Sequence, residues 1–229
     1  MTALTKTIRI LTFRFDGQGF AALGLTDLVY GLAFTWLVGI GRYWDNPRVP
    51  LHQKLGLGSV AYVFLLSTFL FLLLWPLRPA HWRFIPLLTF IALASPPALL
   101  YAIPVEQMFS LDTATTINFW FLAAVALWRV CLLSRFLSRY ALLQGFRLAV
   151  ALVLPLAAIV LALTALNLER AVFEIMAGNM PRQHTSADGA YTFLFLISVL
   201  SVYLVPPVLI NYVVLIALAW RRKQLPGAA

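Results

Sequence analysis

The chain has 229 residues, of which 62% are hydrophobic and only 11% are charged. A water-soluble domain keeps about a quarter of its residues charged because its surface must be polar, so this composition excludes an ordinary soluble globule. The net charge of +9 comes from basic residues that border apolar runs, which indicates orientation in a membrane and argues against nucleic-acid binding.

The first seventeen residues, 1–17, precede the first apolar run and carry Lys6, Arg9 and Arg14. They contain no long apolar core followed by a small-residue cleavage site, so they do not look like a signal peptide. We therefore expect a retained amphipathic tail in the cytoplasm at this end of the chain.

Six apolar runs follow, each long enough to cross a bilayer as a helix of about 20 residues. They predict an all-α fold, a polytopic transmembrane helical bundle within residues 18–220, with spans at 20–40, 57–77, 84–103, 116–137, 146–166 and 191–220. The last run would be about 45 Å long as a helix, so it must tilt, kink or start along the membrane surface. Because Asp27 lies in the first run, a five-span chain without that run is the main alternative.

The Lys and Arg residues between the spans predict the orientation of the bundle, since cytoplasmic loops are enriched in them. With the N-terminus inside, the inner side receives eleven Lys and Arg residues and the outer side five, together with six of the eight acids. Both termini are therefore expected in the cytoplasm, with residues 221–229 as a basic cytoplasmic tail. The short loops and the charge asymmetry favour a multi-pass protein of the inner (plasma) membrane of a bacterium, with the lipid bilayer as its surroundings.

Two outer segments carry features of their own. Residues 168–177 place apolar side chains on one side and charges elsewhere, which predicts a short helix on the outer membrane surface. Glu106 and Asp112 are outer-loop carboxylates that could work as an acid–base pair with His184, because such chemistry needs two titratable groups. Capping and solvation are the commoner roles of such acids.

Asp27 and Arg129 lie within predicted spans, where a charge costs roughly 2.5 to 3.5 kcal/mol. If the first span starts near position 20 and the fourth ends near 137, both charges lie about 10 to 12 Å from the cytoplasmic edge. Gly24 and Gly31 share the helix face of Asp27, and Asn118 shares that of Arg129. We therefore predict a buried ion pair between Asp27 and Arg129, which either locks two helices or forms a polar site. Separate snorkelling of the two side chains to the surface is the alternative.

Two proline pairs lie inside predicted spans and should kink or break their helices. Pro96 and Pro97 lie in the third span, and Pro206 and Pro207 lie in the sixth, shortly before Asn211. Broken helices at matching positions of two halves occur in inverted-repeat transporters, although kinks also arise in ordinary packing. In either case the freed backbone carbonyls need partners inside a membrane.

No metal-binding, nucleotide-binding or hydrolase motif is present in the sequence, so no cofactor, metal site or catalytic activity is expected. The single cysteine, Cys131, excludes an internal disulfide. The favoured interpretation is a non-catalytic structural or accessory membrane component that binds another membrane protein or a second copy of itself. A small transporter with a polar site at Asp27 and Arg129, and a membrane enzyme that uses the outer-loop carboxylates, are the alternatives.

Overall fold

The computed structural model describes residues 1–41, 44, 51–166 and 187–224. Throughout this part of the chain the regular structure is helical, without a strand, which confirms the all-α fold class. The helices are α1 (Ala3–Leu11), α2 (Gly17–Ala21), α3 (Leu25–Gly41), α4 (Leu51–Lys54), α5 (Leu57–Leu74), α6 (Phe84–Leu93), α7 (Val105–Met108), α8 (Leu111–Arg139), α9 (Gly145–Ala165) and α10 (Ala187–Gln224). Segments of 3-10 helix follow α5 over Trp75–Leu77 and α6 over Pro96–Ala102. The predicted outer helix at 168–177 and the end of the predicted tail, 225–229, lie outside the described residues.

Five helical segments in the described part of the chain are long and apolar enough to cross a membrane, which is compatible with a membrane protein. They are Leu57–Leu77, Phe84–Ala102, Thr113–Arg139, Gly145–Ala165 and Leu196–Arg221. The remaining apolar helix, α3, has 17 residues and is therefore about 25 Å long.

The first predicted span, residues 20–40, is not a single helix. Asp16 caps the short α2 by accepting a hydrogen bond from the backbone N–H of Gly19, α2 ends at Ala21, and α3 starts at Leu25. Glycines at positions 17, 19 and 24 favour this break, because each costs about 1 kcal/mol in a helix interior. The apolar helix therefore begins about five residues later than the hydropathy pattern predicts.

The core lies around α6, which has the largest buried share of the five long apolar segments. Phe90 of α6 stacks on Phe136 of α8 with ring centroids 4.4 Å apart, and Phe20 of α2 meets Phe136 edge-on at 5.1 Å. Such aromatic pairs add about 0.5 to 1.5 kcal/mol beyond the burial of their area. Leu74 of α5 and Leu87 of α6 belong to the same buried cluster as these rings. Four helices, α2, α5, α6 and α8, therefore meet around the three phenylalanines.

Helix α3 packs closely on α6 and on the start of α5, because glycine leaves no side chain at the contacts. A Cβ at Gly31 would lie 2.9 Å from the Cβ of Ala92, and one at Gly39 would lie 2.8 Å from the carbonyl oxygen of Gly56. Gly24, which shares the face of Gly31, has no atom within 4 Å of such a Cβ. The close neighbour of the small-residue face is therefore α6, not α8.

One end of the bundle gathers the N-terminal residues, two loops and the end of α10. The backbone N–H of Ala80 donates to the carbonyl of Ala141 at 3.0 Å, which joins the loop after α5 to the loop after α8. The guanidinium of Arg78 lies 3.9 Å from the centroid of the Trp220 ring, which brings the end of α10 to the same place. We call this region the basic end, and it consists of residues 1–24, 78–83, 135–147 and 220–224.

The opposite end is formed by the other helix termini. The indole N–H of Trp36 donates to the carbonyl of Leu55 at 2.8 Å, which ties the end of α3 to the start of α5. Thr164, at the end of α9, donates from its hydroxyl to that of Ser198 in α10 at 3.0 Å. Successive long helices therefore alternate in direction between the two ends, and α10 packs on α9 with little of its own span buried.

Candidate functional site: the buried polar groups

Asp27 is buried at the start of α3, with 5% of its surface exposed. Its Oδ2 accepts a hydrogen bond from Nζ of Lys6 at 2.6 Å and another from the backbone N–H of Gly24 at 3.2 Å. The second bond is half of a capping box, in which an acid in the first turn binds the N–H group just before the helix. Asp27 therefore caps α3 and joins it to α1 through a salt bridge.

The structure corrects the predicted ion pair, because Lys6 and not Arg129 is the partner of Asp27. The prediction placed the acid well inside a span, whereas the start of α3 at Leu25 puts the carboxylate in the first helical turn. Arg129 lies about ten residues, or about 15 Å, before the end of α8 at Arg139. Its side chain is half-buried and makes no hydrogen bond or salt bridge to any residue that the structure describes. Asn118 is also half-buried on α8, about three turns nearer the opposite end.

The region of α8 around Arg129 nevertheless contacts the N-terminal segment. The indole N–H of Trp128 donates to the carbonyl of Leu11 at 3.2 Å, at the end of α1. Ile10 of the same helix is buried in the core, 1% exposed. The predicted amphipathic tail at 1–17 thus contains a helix that is bound to the bundle by a salt bridge at Lys6, by a hydrogen bond and by apolar packing.

A second buried polar group joins α3 to the break after α6. The hydroxyl oxygens of Thr35 and Ser95 are 2.5 Å apart, and both residues are 3% exposed. Ser95 donates from its hydroxyl to the carbonyl of Ala92 at 2.6 Å. In an unbroken helix that carbonyl would accept from position 96, but Pro96 has no N–H. The backbone N–H of Ser95, at 3.2 Å, and the side-chain hydroxyls therefore together replace the donor that proline removes.

The two proline pairs have different effects on their helices. α6 ends at Leu93, and the chain continues through Pro96 and Pro97 as a 3-10 segment. α10, in contrast, runs as one helix through Pro206 and Pro207, which excludes the predicted break there, while the alternative of a kink stays a prediction. The amide of Asn211 donates to the carbonyl of Pro207 at 2.8 Å. We attribute the difference to length, because α10 has many uninterrupted turns on both sides of its prolines.

The outer-loop carboxylates cannot be placed against each other. Glu106 lies in α7 and Asp112 in the first turn of α8, but their side chains and the whole of His184 are outside the described residues. The acid–base pair therefore stays a prediction. Within the described ranges no group of three or more His, Cys, Asp or Glu side chains could hold a metal ion, and Cys131 is exposed on α8.

At the basic end, Tyr140 follows the last residue of α8 and is buried, 1% exposed. Burial raises the pKa of its phenol above the usual value of 10.0, and the positive charge and the backbone N–H of Arg83 oppose this shift in part. The phenol is therefore protonated near neutral pH and remains a hydrogen-bond donor. The O–H of this phenol and Nε of Arg135 are both buried donors for which the residues that the structure describes supply no acceptor.

Sequence reasoning missed Lys6, Thr35 and Ser95 as members of polar contacts. The signal for Lys6 is the glycine-rich stretch before Asp27, which ends one helix and turns the acid into the cap of the next. The signal for Ser95 is its place directly before Pro96, where a hydroxyl can serve a carbonyl that has lost its donor. Thr35 carries no comparable local signal, because its partner is 60 residues away.

Comparison of the chain with protein-family models, curated proteins and solved structures found no match.

Proposed function

We propose that the chain is a six-span protein of the cell inner membrane with both termini in the cytoplasm, and that it acts as a non-catalytic structural or accessory membrane component. In this proposal five of the spans are the long apolar segments. The other span, the first in the chain, is α3 together with the residues that adjoin its ends. Alternation of the long helices supports this topology, since it brings the basic segments predicted to be cytoplasmic to one end.

The observation that carries the accessory role is how the buried polar groups are used. Asp27 accepts hydrogen bonds from Lys6 and from the backbone N–H of Gly24, and so caps its own helix. Thr35 and Ser95 are bound to each other and to the broken end of α6. Each of these groups stabilises the fold, as expected of a component whose role is packing.

Exposed apolar faces on α8 and α10 supply the surface for lateral association. Trp120 and Leu127 of α8 are 64% and 66% exposed, and Tyr203 and Ile210 of α10 are 75% and 65% exposed. In a membrane such faces contact lipid or pack against another helix through van der Waals contacts. The proposed partner is another membrane protein or a second copy of this chain.

The topology is tested by labelling single cysteines in intact cells, starting from a Cys131→Ala variant. Ser110→Cys, at the opposite end, should react with a membrane-impermeant maleimide, whereas Thr2→Cys and Gln144→Cys should react only after the membrane is opened. Labelling of all three positions from outside would overturn the proposed orientation.

The accessory role is tested by measuring mass in a mild detergent with light scattering. We expect a complex larger than the 25.6 kDa chain, of fixed stoichiometry, that dissociates when Tyr203 and Ile210 are replaced by Ala. A monomer that carries a solute across proteoliposomes would instead support the transporter alternative. The broken helix at Pro96 favours that alternative, but its path would need polar groups other than a paired Asp27 and Arg129.

A further inference from the structure

The basic end carries positive charge that the described acids do not neutralise. Arg83, Arg135 and Arg139 make no salt bridge to any acid in the described ranges. Asp27 is occupied by Lys6, and Asp16 caps α2. We call Arg83, Arg135 and Arg139 the arginine patch.

Local geometry brings the three arginines to one place. Arg135 and Arg139 are one turn apart at the end of α8, so their side chains share a face and repel each other. Arg83 comes from the loop after α5 and lies close enough to lower the pKa of Tyr140, the residue next to Arg139. The hydrogen bond from Ala80 to the loop after α8 holds this arrangement.

Hydrogen-bond donors in the patch also lack acceptors. Nε of Arg135 and the O–H of Tyr140 are both buried donors for which the described residues supply no acceptor, although the backbone N–H of Arg83 lies near the phenol oxygen. A buried donor without an acceptor is costly, and native proteins rarely leave one unless a ligand, ion or water supplies the acceptor. Several donors and an excess of positive charge together suit an oxyanion with several acceptor oxygens.

The depth of the patch indicates where that oxyanion comes from. Trp75 and Trp220 are 65% and 53% exposed at the same end, and the Trp82 indole N–H donates to the carbonyl of Phe71 at 3.2 Å. Tryptophan side chains concentrate where the hydrocarbon core of a bilayer meets the headgroups. The patch therefore lies at the level of lipid phosphates.

We propose that the arginine patch and the Tyr140 hydroxyl form a binding site for the phosphate of an anionic phospholipid. Basic pockets at the cytoplasmic ends of transmembrane helices bind such headgroups in other membrane proteins. The site depends on insertion in a membrane and does not depend on the proposed accessory role, so either can fail without the other.

The test is native mass spectrometry of the intact protein in mild detergent, titrated with phosphatidylglycerol or with phosphatidylcholine of the same acyl chains. We expect the anionic lipid to be retained preferentially. Joint replacement Arg135→Gln and Arg139→Gln should weaken phosphatidylglycerol binding by about 30-fold, the combined effect of two headgroup contacts. Arg9→Gln with Arg14→Gln removes the same charge from the same end and should change the lipid ratio by less than about threefold.

Three further outcomes decide the proposal. Tyr140→Phe should weaken phosphatidylglycerol binding with little loss of stability, since it removes an O–H donor for which the described residues supply no acceptor. Equal losses from the two arginine pairs would show diffuse attraction and overturn the site. Equal competition by soluble glycerol phosphate would show a free phosphate site and overturn the lipid assignment. If the double variant does not fold, Arg83→Gln, on an exposed loop residue, decides the same comparison.

Discussion

Replacing Lys6 with Met removes the counter-charge of Asp27 and leaves the length of the side chain almost unchanged. The carboxylate would stay buried at the start of α3 with only the backbone N–H of Gly24 as a donor. Removing one partner of a buried ion pair typically costs about 3 to 5 kcal/mol. We expect a loss near the lower limit, about 3 kcal/mol, because 19% of the Lys6 side chain is exposed and water can reach the site.

The reverse replacement, Asp27→Asn, should cost less. The amide oxygen of Asn can still accept from Gly24, and the partly exposed Lys6 can turn its ammonium group toward water. We expect a loss of about 1 to 2 kcal/mol for this variant. The double variant should lose clearly less than the sum of the two, with a coupling free energy of about 2 kcal/mol.

The assay is reversible unfolding in mixed micelles, in which SDS is titrated against a mild detergent and tryptophan fluorescence is recorded. Arg129→Gln combined with Asp27→Asn is the matched control, and its effects should add within about 0.5 kcal/mol. Additive losses for Lys6 and Asp27, or a strong coupling between Asp27 and Arg129, would refute the assignment of the ion pair.

Further expected outcomes follow from other contacts, and the same titration measures the first three. Thr35→Val should lower stability by about 1 kcal/mol through loss of a buried hydrogen bond, and a variant as stable as the parent would contradict the hydroxyl contact. Gly31→Val should cost about 1 to 3 kcal/mol because its Cβ position is already 2.9 Å from Ala92, whereas Gly58→Ala, with open space, should not destabilise the protein. Tyr212→Phe should cost about 1 kcal/mol, since its hydroxyl donates to a backbone carbonyl at the end of α5. Since the raised pKa of Tyr140 makes the folded state hold its proton more tightly, stability from this group is complete below pH 10.0 and is lost above it. Tyr140→Phe should therefore reduce the alkaline loss of stability measured by thermal unfolding, and an unchanged pH profile would contradict this reasoning.

The long apolar runs could be located from the sequence because bilayer thickness fixes the length of a spanning helix. The spans predicted at 57–77 and 146–166 match the described segments Leu57–Leu77 and Gly145–Ala165 almost residue for residue. The start of the first span was harder to predict, because a hydropathy pattern does not show a helix break that glycines and a capping aspartate produce. One break moved Asp27 by about one and a half turns in depth and so changed its partner.

The candidate site was less predictable than the helices. The depth comparison that paired Asp27 with Arg129 assumed that the N-terminal residues lay in water, and it could not foresee that α1 folds back to bring Lys6 within 2.6 Å. Thr35 is uncharged and lies in an apolar run, so nothing in the sequence distinguishes it from a hydroxyl that bonds only within its own helix. Contacts of this kind depend on tertiary packing, which single-sequence patterns do not contain.

The Lys6–Asp27 salt bridge has a consequence for how the protein is made. Its two residues are 21 positions apart, so the contact can form while most of the chain is still on the ribosome. Once formed, the salt bridge supplies a counter-charge to the Asp27 carboxylate as α3 enters the lipid. Without it, α3 would enter the lipid with an uncompensated charge. We therefore expect the N-terminal segment to aid insertion of the first apolar helix, and its deletion should impair delivery of α3 by the translocon before any later helix is synthesised.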